Sequence, residues 1–172
     1  IIGGGMVGAA LASLLAKSLS GRQVLLVEAF ALPESNQTFF QSSFDDRSTA
    51  IASGSVELLQ RVGVWEQLRE HATPIRKVHV SDKGHFGGSL ICASEADLDA
   101  VGYVIANAWI GRVLLAHLRQ QSNVRLISPA KVSQLKPLAD GAELTLTLGE
   151  QIHSLHTQLA IIADGAQSPL RE

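Results

Sequence analysis

The chain has 172 residues, of which 46% are hydrophobic and 17% are charged. This balance is typical of an ordered globular protein, and the length allows one domain or slightly more. The formal net charge of -2 argues against a nucleic-acid partner, because such partners are bound mainly through neutralised phosphates. Cys92 is the only cysteine, which excludes an internal disulfide and fits a reducing compartment.

The most apolar long stretch, Val101 to Leu118, contains Asn107, Arg112 and two glycines. It therefore does not predict a membrane span. We predict a cytoplasmic protein, and the sequence leaves open a peripheral association with the inner face of the cell membrane.

The chain opens on IIGGGMVGAALASLLAKS, which has the spacing Gly3-x-Gly5-x-x-Gly8. Ile1-Ile2 predicts the end of a strand, Met6 to Ser20 a helix that Gly21 ends, and Gln23 to Glu28 a buried parallel strand. In this β-α-β context the first glycine permits a tight turn, the second lets backbone approach a pyrophosphate, and the third allows close helix packing. The alternative is a glycine-rich turn that packs tightly without a ligand.

Glu28 lies 20 residues after Gly8, at the end of the second predicted strand. A carboxylate at this place accepts hydrogen bonds from a ribose diol and disfavours a phosphorylated ribose. The alternative is an ordinary charged residue at a strand end. At this point NAD and FAD are served equally well.

Further elements follow from hydrophobic periodicity and from glycine and proline positions. The first half predicts a long loop over 29–46, a helical region from Ser53 to about Ala72 interrupted at Gly63, and strands at Ile75–Asp82, Ser89–Ala93 and Gly102–Ala106. The second half predicts a helix at Trp109–Gln121, a strand at Val124–Ile127, a hairpin of Lys131–Leu138 and Glu143–Leu148, an apolar strand at His156–Ala163, and a helix start at Ser168.

Three charged residues are candidates for ligand contacts. Arg47 follows two aspartates and is a surface charge, a carboxylate partner or a ligand contact. Arg112 stands in an apolar helix, where it either reaches a specific acceptor or extends its head group to solvent. Asp164 ends an apolar strand, where open α/β sheets bind ligands, although an Asp-Gly turn is also common between strand and helix.

No metal site or catalytic constellation is predicted. His153 and His156 lie in or near strands, where a spacing of three does not place both side chains on one face. His79 and His85 are expected to be surface or hydrogen-bonded residues. Cys92 is expected to be a small apolar residue rather than a nucleophile.

The ordered set of glycine turn, Glu28, Arg47, Arg112 and the strand ending at Asp164-Gly165 resembles the FAD-dependent aromatic hydroxylases of the para-hydroxybenzoate hydroxylase fold. The segments DDRSTAIASGSVELLQRVGVWEQL and VHVSDKGHFG are similar to the ubiquinone-biosynthesis branch of this family. The resemblance covers nearly the whole chain. It implies an α/β fold in which a Rossmann-like FAD-binding domain is interrupted by strands of a substrate-binding sheet.

The resemblance implies a division into an FAD-binding part over 1–74, a segment of substrate-binding sheet over 75–106, and a second FAD-binding part over 107–172. It also implies roles for single residues. The pyrophosphate of FAD would lie at Gly3, Gly5, Met6, Val7 and Gly8. The adenosine ribose would bind Glu28, the cofactor would meet Arg47, Arg112 and Asp164, and the adenine would lie by Val132.

The activity implied is a monooxygenation. NAD(P)H reduces FAD, oxygen forms a flavin hydroperoxide, and one oxygen atom passes to a polyprenyl phenol of the 2-octaprenyl-6-methoxyphenol type in ubiquinone biosynthesis. The protein then orients the substrate and excludes water, so no catalytic residue is expected in this segment. Assembly with other ubiquinone-biosynthesis proteins is a further expectation.

Only two residues precede Gly3, and the family's Gly-Asp motif for the ribityl chain is absent. We therefore expect the chain to be the amino-terminal portion of a longer enzyme and to be inactive alone. Two other readings stay open. One is a dinucleotide-binding fragment without turnover, and the other is an NAD-dependent oxidoreductase.

Overall fold

The computed structural model describes residues 1–19, 21–32 and 44–170. Its central layer is parallel. Strand β1 (Val24–Val27) pairs in parallel with β7 (Val124–Ile127). Ile2 forms parallel bridges to Val27 on one side and to Ile162 on the other. The spatial order is therefore β7, β1, the Ile2 segment and the Ile162 segment, which is the order of a doubly wound α/β sheet.

Two helices cover this layer. Helix α1 (Met6–Ser18) buries a face of small residues, including Gly8, Ala9, Ala12 and Ala16, and small side chains allow a helix to approach its neighbours closely. Helix α4 (Asn107–Gln120) packs against α1 and buries Ile110, Val113, Leu114, Leu115 and Leu118. The α4 side chains, with Ala9 and Ala12 of α1 and Leu26 of β1, belong to the main hydrophobic core.

A second, antiparallel sheet has the order β2-β6-β3. Its strands are β2 (Ser48–Ala52), β6 (Gly102–Ala106) and β3 (Thr73–Ile75). Helices α2 (Ser53–Val62) and α3 (Trp65–Arg69) connect β2 to β3, and Gly63 separates them in a left-handed conformation with φ of 94°. The interruption predicted at Gly63 is confirmed, whereas β2 was not predicted.

The segment between β3 and β6 forms a hairpin of β4 (Lys77–Ser81) and β5 (Gly88–Cys92), followed by a short 3-10 turn at Ala93–Ala96. The single strand predicted at Ile75–Asp82 is wrong in one respect, because the chain passes from β3 into β4 and changes partner. The division at 75 and 106 stays a prediction. Strand β6 belongs to the predicted middle segment, 75–106, but it is hydrogen-bonded to β2, which belongs to the first predicted part, 1–74.

The last sheet is an antiparallel meander of β8 (Lys131–Leu138), β9 (Gly141–Leu148) and β10 (Gln151–Thr157). The hairpin predicted around Asp140-Gly141 is confirmed. The strand predicted at His156–Ala163 is wrong, because β10 ends at Thr157 and only Ile162 rejoins the parallel layer. A smaller apolar core, including Val132, Leu144 and Leu146, joins this meander to Ile2 and Val27.

Two helices have boundaries that differ from the predicted ones, and two predicted elements lie largely outside the described residues. Helix α1 ends at Ser18 rather than Ser20, and Ser20 lies outside the described residues; α4 begins at Asn107 rather than Trp109. Most of the predicted long loop, 33–43, also lies outside them. Residues 169–170 form a turn, and the rest of the helix predicted from Ser168 lies outside the described range. Across the described ranges, none of the helices combines the length and the apolar character needed to cross a membrane.

Candidate dinucleotide site at the glycine turn

Two glycines of the opening turn stand where a side chain has no room. Gly3 has φ of 100°, and a Cβ atom there would lie 2.5 Å from the carbonyl oxygen of Ala163 and 2.7 Å from Cα of Asp164. A Cβ atom at Gly8 would overlap the carbonyl oxygen of Gly3. The turn therefore needs glycine at these positions for close approach, and it places Asp164 directly against Gly3.

The start of α1 is suited to an anion. Gly5 is the N-cap in an extended conformation, no side chain caps the helix, and no acidic residue lies in its first turn. The first backbone N–H groups of an α-helix have no partner within the helix, and the helix dipole adds a positive end. Met6 and Val7 follow in this first turn, and the Val7 side chain is 71% exposed. A diphosphate fits this cradle.

Glu28 is the most distinctive residue of the site, because its charged side chain is only 5% exposed. Its Oε2 accepts a hydrogen bond from the backbone N–H of Gly4 at 2.6 Å, and its Oε1 accepts one from the backbone N–H of Phe30 at 2.9 Å. These bonds fix the plane of the carboxylate. Each oxygen retains a further lone pair, so the group can accept two hydroxyl donors at once.

Gly4 is a site residue that the sequence reasoning missed. Besides donating to Glu28, it lies so close that a Cβ atom would be 3.0 Å from Cβ and 3.1 Å from Oε2 of Glu28. The unbroken run of three glycines was the available signal. A contact between the turn and the end of β1 explains why the run needs a third glycine.

The chain after Glu28 is tied to the chain after β7. The backbone N–H of Ala130 donates to the carbonyl oxygen of Glu28 at 2.7 Å. Val132 follows in β8 and is 5% exposed, with its side chain in the smaller core. Any contact of Val132 with a ligand would therefore involve its backbone rather than its side chain.

Arg47 directly precedes β2 in the chain and lies next to the first residue of α4 in space. The backbone N–H of Asn107 donates to the carbonyl oxygen of Arg47 at 2.8 Å. Its guanidinium is exposed, and Nε lies 2.6 Å from Oδ2 of Asp45. Asp45 also accepts hydrogen bonds from the backbone N–H of Arg47 at 3.0 Å and from Nδ2 of Asn107 at 3.3 Å. Thr49 donates to Oδ1 of Asn107 at 2.6 Å, which extends the network to β2.

The network acts on the charge of Asp45. Desolvation by itself would raise the pKa of this carboxyl group. The hydrogen bonds from Arg47, its positive charge and the bond from Asn107 outweigh that effect, so the pKa of Asp45 lies below its usual value. Asp45 is therefore an anion at neutral pH and a stable partner for Arg47.

Arg112 extends along the exposed side of α4, with its guanidinium carbon 5.7 Å from the centre of the Trp109 ring. This is a cation–π contact at the surface. It agrees with the alternative in which the arginine reaches solvent from an apolar helix.

Asp164 is exposed and accepts a hydrogen bond from Oγ of Ser168 at 2.9 Å. The structure thus gathers the glycine turn, Glu28 and Asp164 at one edge of the parallel layer. Arg47 and Arg112 are both placed by α4. None of the described residues form a group of three or more histidine, cysteine or acidic side chains able to hold a metal ion.

A glycine turn at a helix start, with a buried carboxylate at the end of the next parallel strand, defines a dinucleotide-binding α/β domain. The model of a family described as FAD binding domain matches residues 1–172. The chain therefore belongs to this FAD-binding family, and FAD is its cofactor.

Relatives confirm the resemblance to ubiquinone-biosynthesis hydroxylases. The chain is 30% identical to ubiquinone hydroxylase UbiL of Rhodospirillum rubrum, with 100% of the chain and 38% of that protein covered. It is 33% identical to 3-demethoxyubiquinol 3-hydroxylase of Escherichia coli, with 100% of the chain and 42% of that protein covered. The chain thus spans less than half the length of either relative.

Solved structures confirm the fold. The p-nitrophenol 4-monooxygenase PnpA of Pseudomonas putida matches 98% of the chain and 40% of its own length, with a TM-score of 0.76 and 22% identity. The flavin-dependent monooxygenase PieE, solved in complex with FAD and substrate, matches 97% of the chain and 30% of its own length, with a TM-score of 0.73 and 17% identity. At these identities the likeness concerns the fold alone.

Proposed function

We propose that the edge of the parallel layer binds the adenosine diphosphate half of FAD. The observation that carries this proposal is the buried Glu28 carboxylate, held by Gly4 and Phe30 with lone pairs left for a ribose diol. The pyrophosphate would lie over Gly3, Gly5 and the start of α1, where Met6, Val7 and Gly8 supply backbone N–H groups.

Four further residues complete the proposed cofactor contacts. Arg47, oriented by Asp45, would contribute a positive charge toward the phosphates or the flavin. Arg112 would contact the cofactor from α4, and Val132 would contact the adenine through its backbone. Asp164, packed against Gly3, would lie near the pyrophosphate.

We further propose that the whole protein is an FAD-dependent monooxygenase of ubiquinone biosynthesis. The names of its relatives support this reaction class. The substrate would be a polyprenyl phenol of the kind used by 2-octaprenyl-6-methoxyphenol hydroxylase, a family member that the sequence motifs resemble. Bound FAD would supply the redox chemistry, with NAD(P)H as reductant and molecular oxygen as oxidant, while this chain's residues bind and orient the cofactor.

Several broader expectations belong to the same proposal. The division at residues 75 and 106 would separate the FAD-binding parts from strands of the substrate-binding sheet. The protein would work in the cytoplasm, with peripheral contact to the membrane where polyprenyl substrates reside. It would assemble with other ubiquinone-biosynthesis proteins and would not bind nucleic acid.

A titration of the purified protein with FAD, followed by flavin fluorescence and with NAD as the competing ligand, tests the core of this proposal. Preferential binding of FAD supports it. Preferential binding of NAD would favour a dehydrogenase instead. Binding of neither ligand by folded protein would mean that the glycine turn has only a structural role in this chain.

A further inference from the structure

Phe30 is an aromatic residue in an unusual place. Its side chain is 63% exposed, although the chain enters it directly from the buried end of β1. Its backbone N–H donates to Oε1 of Glu28 at 2.9 Å. The ring is therefore attached to the same short segment that fixes the carboxylate proposed to bind ribose.

The backbone around Phe30 is held from the other side as well. Oγ of Ser128 donates to the carbonyl oxygen of Phe30 at 2.9 Å and accepts a hydrogen bond from the backbone N–H of Leu32 at 2.7 Å. Ala130 binds the carbonyl oxygen of Glu28. Both backbone groups of Phe30 are thus hydrogen-bonded, which holds the backbone that carries the exposed ring beside Glu28.

We propose that the Phe30 ring stacks on the adenine of the bound cofactor. The inference rests on the proposed function, because it takes the ribose diol to lie on Glu28. The base is bonded to the ribose carbon next to the 2′-hydroxyl, so a hydroxyl on the carboxylate brings the base to the segment that carries Phe30. A flat apolar ring without a charge recognises a base through its face, and such stacking is favourable with any base.

Phe86 provides the contrast within the same chain. It is also exposed, and more completely than Phe30, at the tip between β4 and β5. Among the described residues, no carboxylate or helix start is hydrogen-bonded to its backbone. The backbone N–H of its neighbour His85 donates to the carbonyl oxygen of Asp82. Phe86 is therefore a matched control for the loss of an exposed phenyl ring.

The test compares Phe30→Ala, Phe30→Tyr and Phe86→Ala in the purified protein. Calorimetry gives the Kd for FAD and for ADP, which contains the adenine but no flavin. We expect Phe30→Ala to raise the Kd for FAD and for ADP about tenfold or more, which is the range expected for stacking of a base on an aromatic side chain. Phe30→Tyr retains a ring and should bind within about twofold of the original protein, as should Phe86→Ala.

A spectroscopic signal separates stacking from a structural role. Emission of 1,N6-etheno-ADP should change on binding to the original protein and to Phe30→Tyr, and much less with Phe30→Ala. An unchanged Kd for ADP in Phe30→Ala would overturn the stacking proposal while FAD binding stands. Equal weakening in Phe30→Ala and Phe30→Tyr, with a lower Tm in both, would also overturn it. Failure of the original protein to bind FAD or ADP would overturn the proposed function and the stacking together.

Discussion

Replacement of Glu28 by glutamine tests the site with the smallest change of shape. The side chain is buried, and both oxygens already accept backbone N–H groups, from Gly4 and from Phe30. Glutamine keeps one oxygen and replaces the other by an NH2 group that cannot accept. One ribose hydroxyl therefore loses its acceptor, and one backbone N–H faces another donor.

The magnitude follows from these bonds. A hydrogen bond to a charged group contributes about 1.5–3 kcal/mol, and each 1.4 kcal/mol is about tenfold in Kd. Loss of one such bond predicts that Glu28→Gln weakens FAD binding by about 10- to 150-fold. The buried donor left without a partner should lower the free energy of unfolding by about 1–3 kcal/mol.

The assay is a fluorescence titration with FAD, run beside urea unfolding of each variant. Glu143→Gln is the matched control. Glu143 lies on β9, accepts from Oγ of Ser154 at 2.7 Å and has no role in the site. It should leave the Kd for FAD unchanged. An unchanged Kd in Glu28→Gln, with stability reduced as expected, would refute ribose binding and leave the carboxylate with a structural role only.

The remaining predictions concern packing and pH. Gly8→Ala should abolish FAD binding, measured as flavin retained on purification, because the added Cβ overlaps the Gly3 carbonyl oxygen; normal retention would contradict this account. Gly111→Ala should lower the free energy of unfolding by about 1–3 kcal/mol, since its Cβ would overlap the ring of Phe44. Gly54→Ala, with open space around it, should instead raise the free energy of unfolding by up to about 1 kcal/mol. Burial and the nearby Lys17 lower the pKa of His117 below its usual 6.5. Below pH 6.5 the unfolded chain therefore binds a proton at His117 more readily than the folded protein does. Stability should therefore fall as pH drops below 6.5, and Tm measured against pH should show a shallower fall in His117→Gln; equal slopes would show that another group is responsible.

The sequence patterns predicted those helices, strands and turns whose formation depends on residues close together in the chain. The β-α-β opening, the interruption at Gly63, strands β6 and β7 and the hairpin at Asp140-Gly141 are all present. Each has a strong signal within a few residues, such as an apolar run or a glycine between two helical stretches. The spacing of Glu28 from the glycine turn likewise identified a residue that the structure buries beside that turn.

Strands β2 and β10 show where such patterns stop. In β2 only Ile51 is buried, and in β10 only Leu155 and Thr157 are even partly covered. The sequences of these strands, STAIA in β2 and QIHSLHT in β10, lack the apolar–polar alternation that predicts a half-buried strand. They exist because β6 and β9 offer hydrogen-bonding edges. The partner of β2 is distant in the chain, and β10 pairs with a hairpin that is already complete without it. Pairing at such an edge is decided by the partner strand, so the sequence of the segment itself does not predict it.

The surroundings of Arg47 could not be predicted for a related reason. The sequence placed two aspartates before this arginine and left the choice between a surface charge, a carboxylate pair and a ligand contact. The structure pairs it with Asp45, and Asp45 is joined to Asn107, 62 residues further along. Asn107 is buried and begins α4, so the position of Arg47 depends on how α4 packs against the core. A change that moves α4 would therefore move both arginines that we propose as cofactor contacts, although the two are far apart in the sequence.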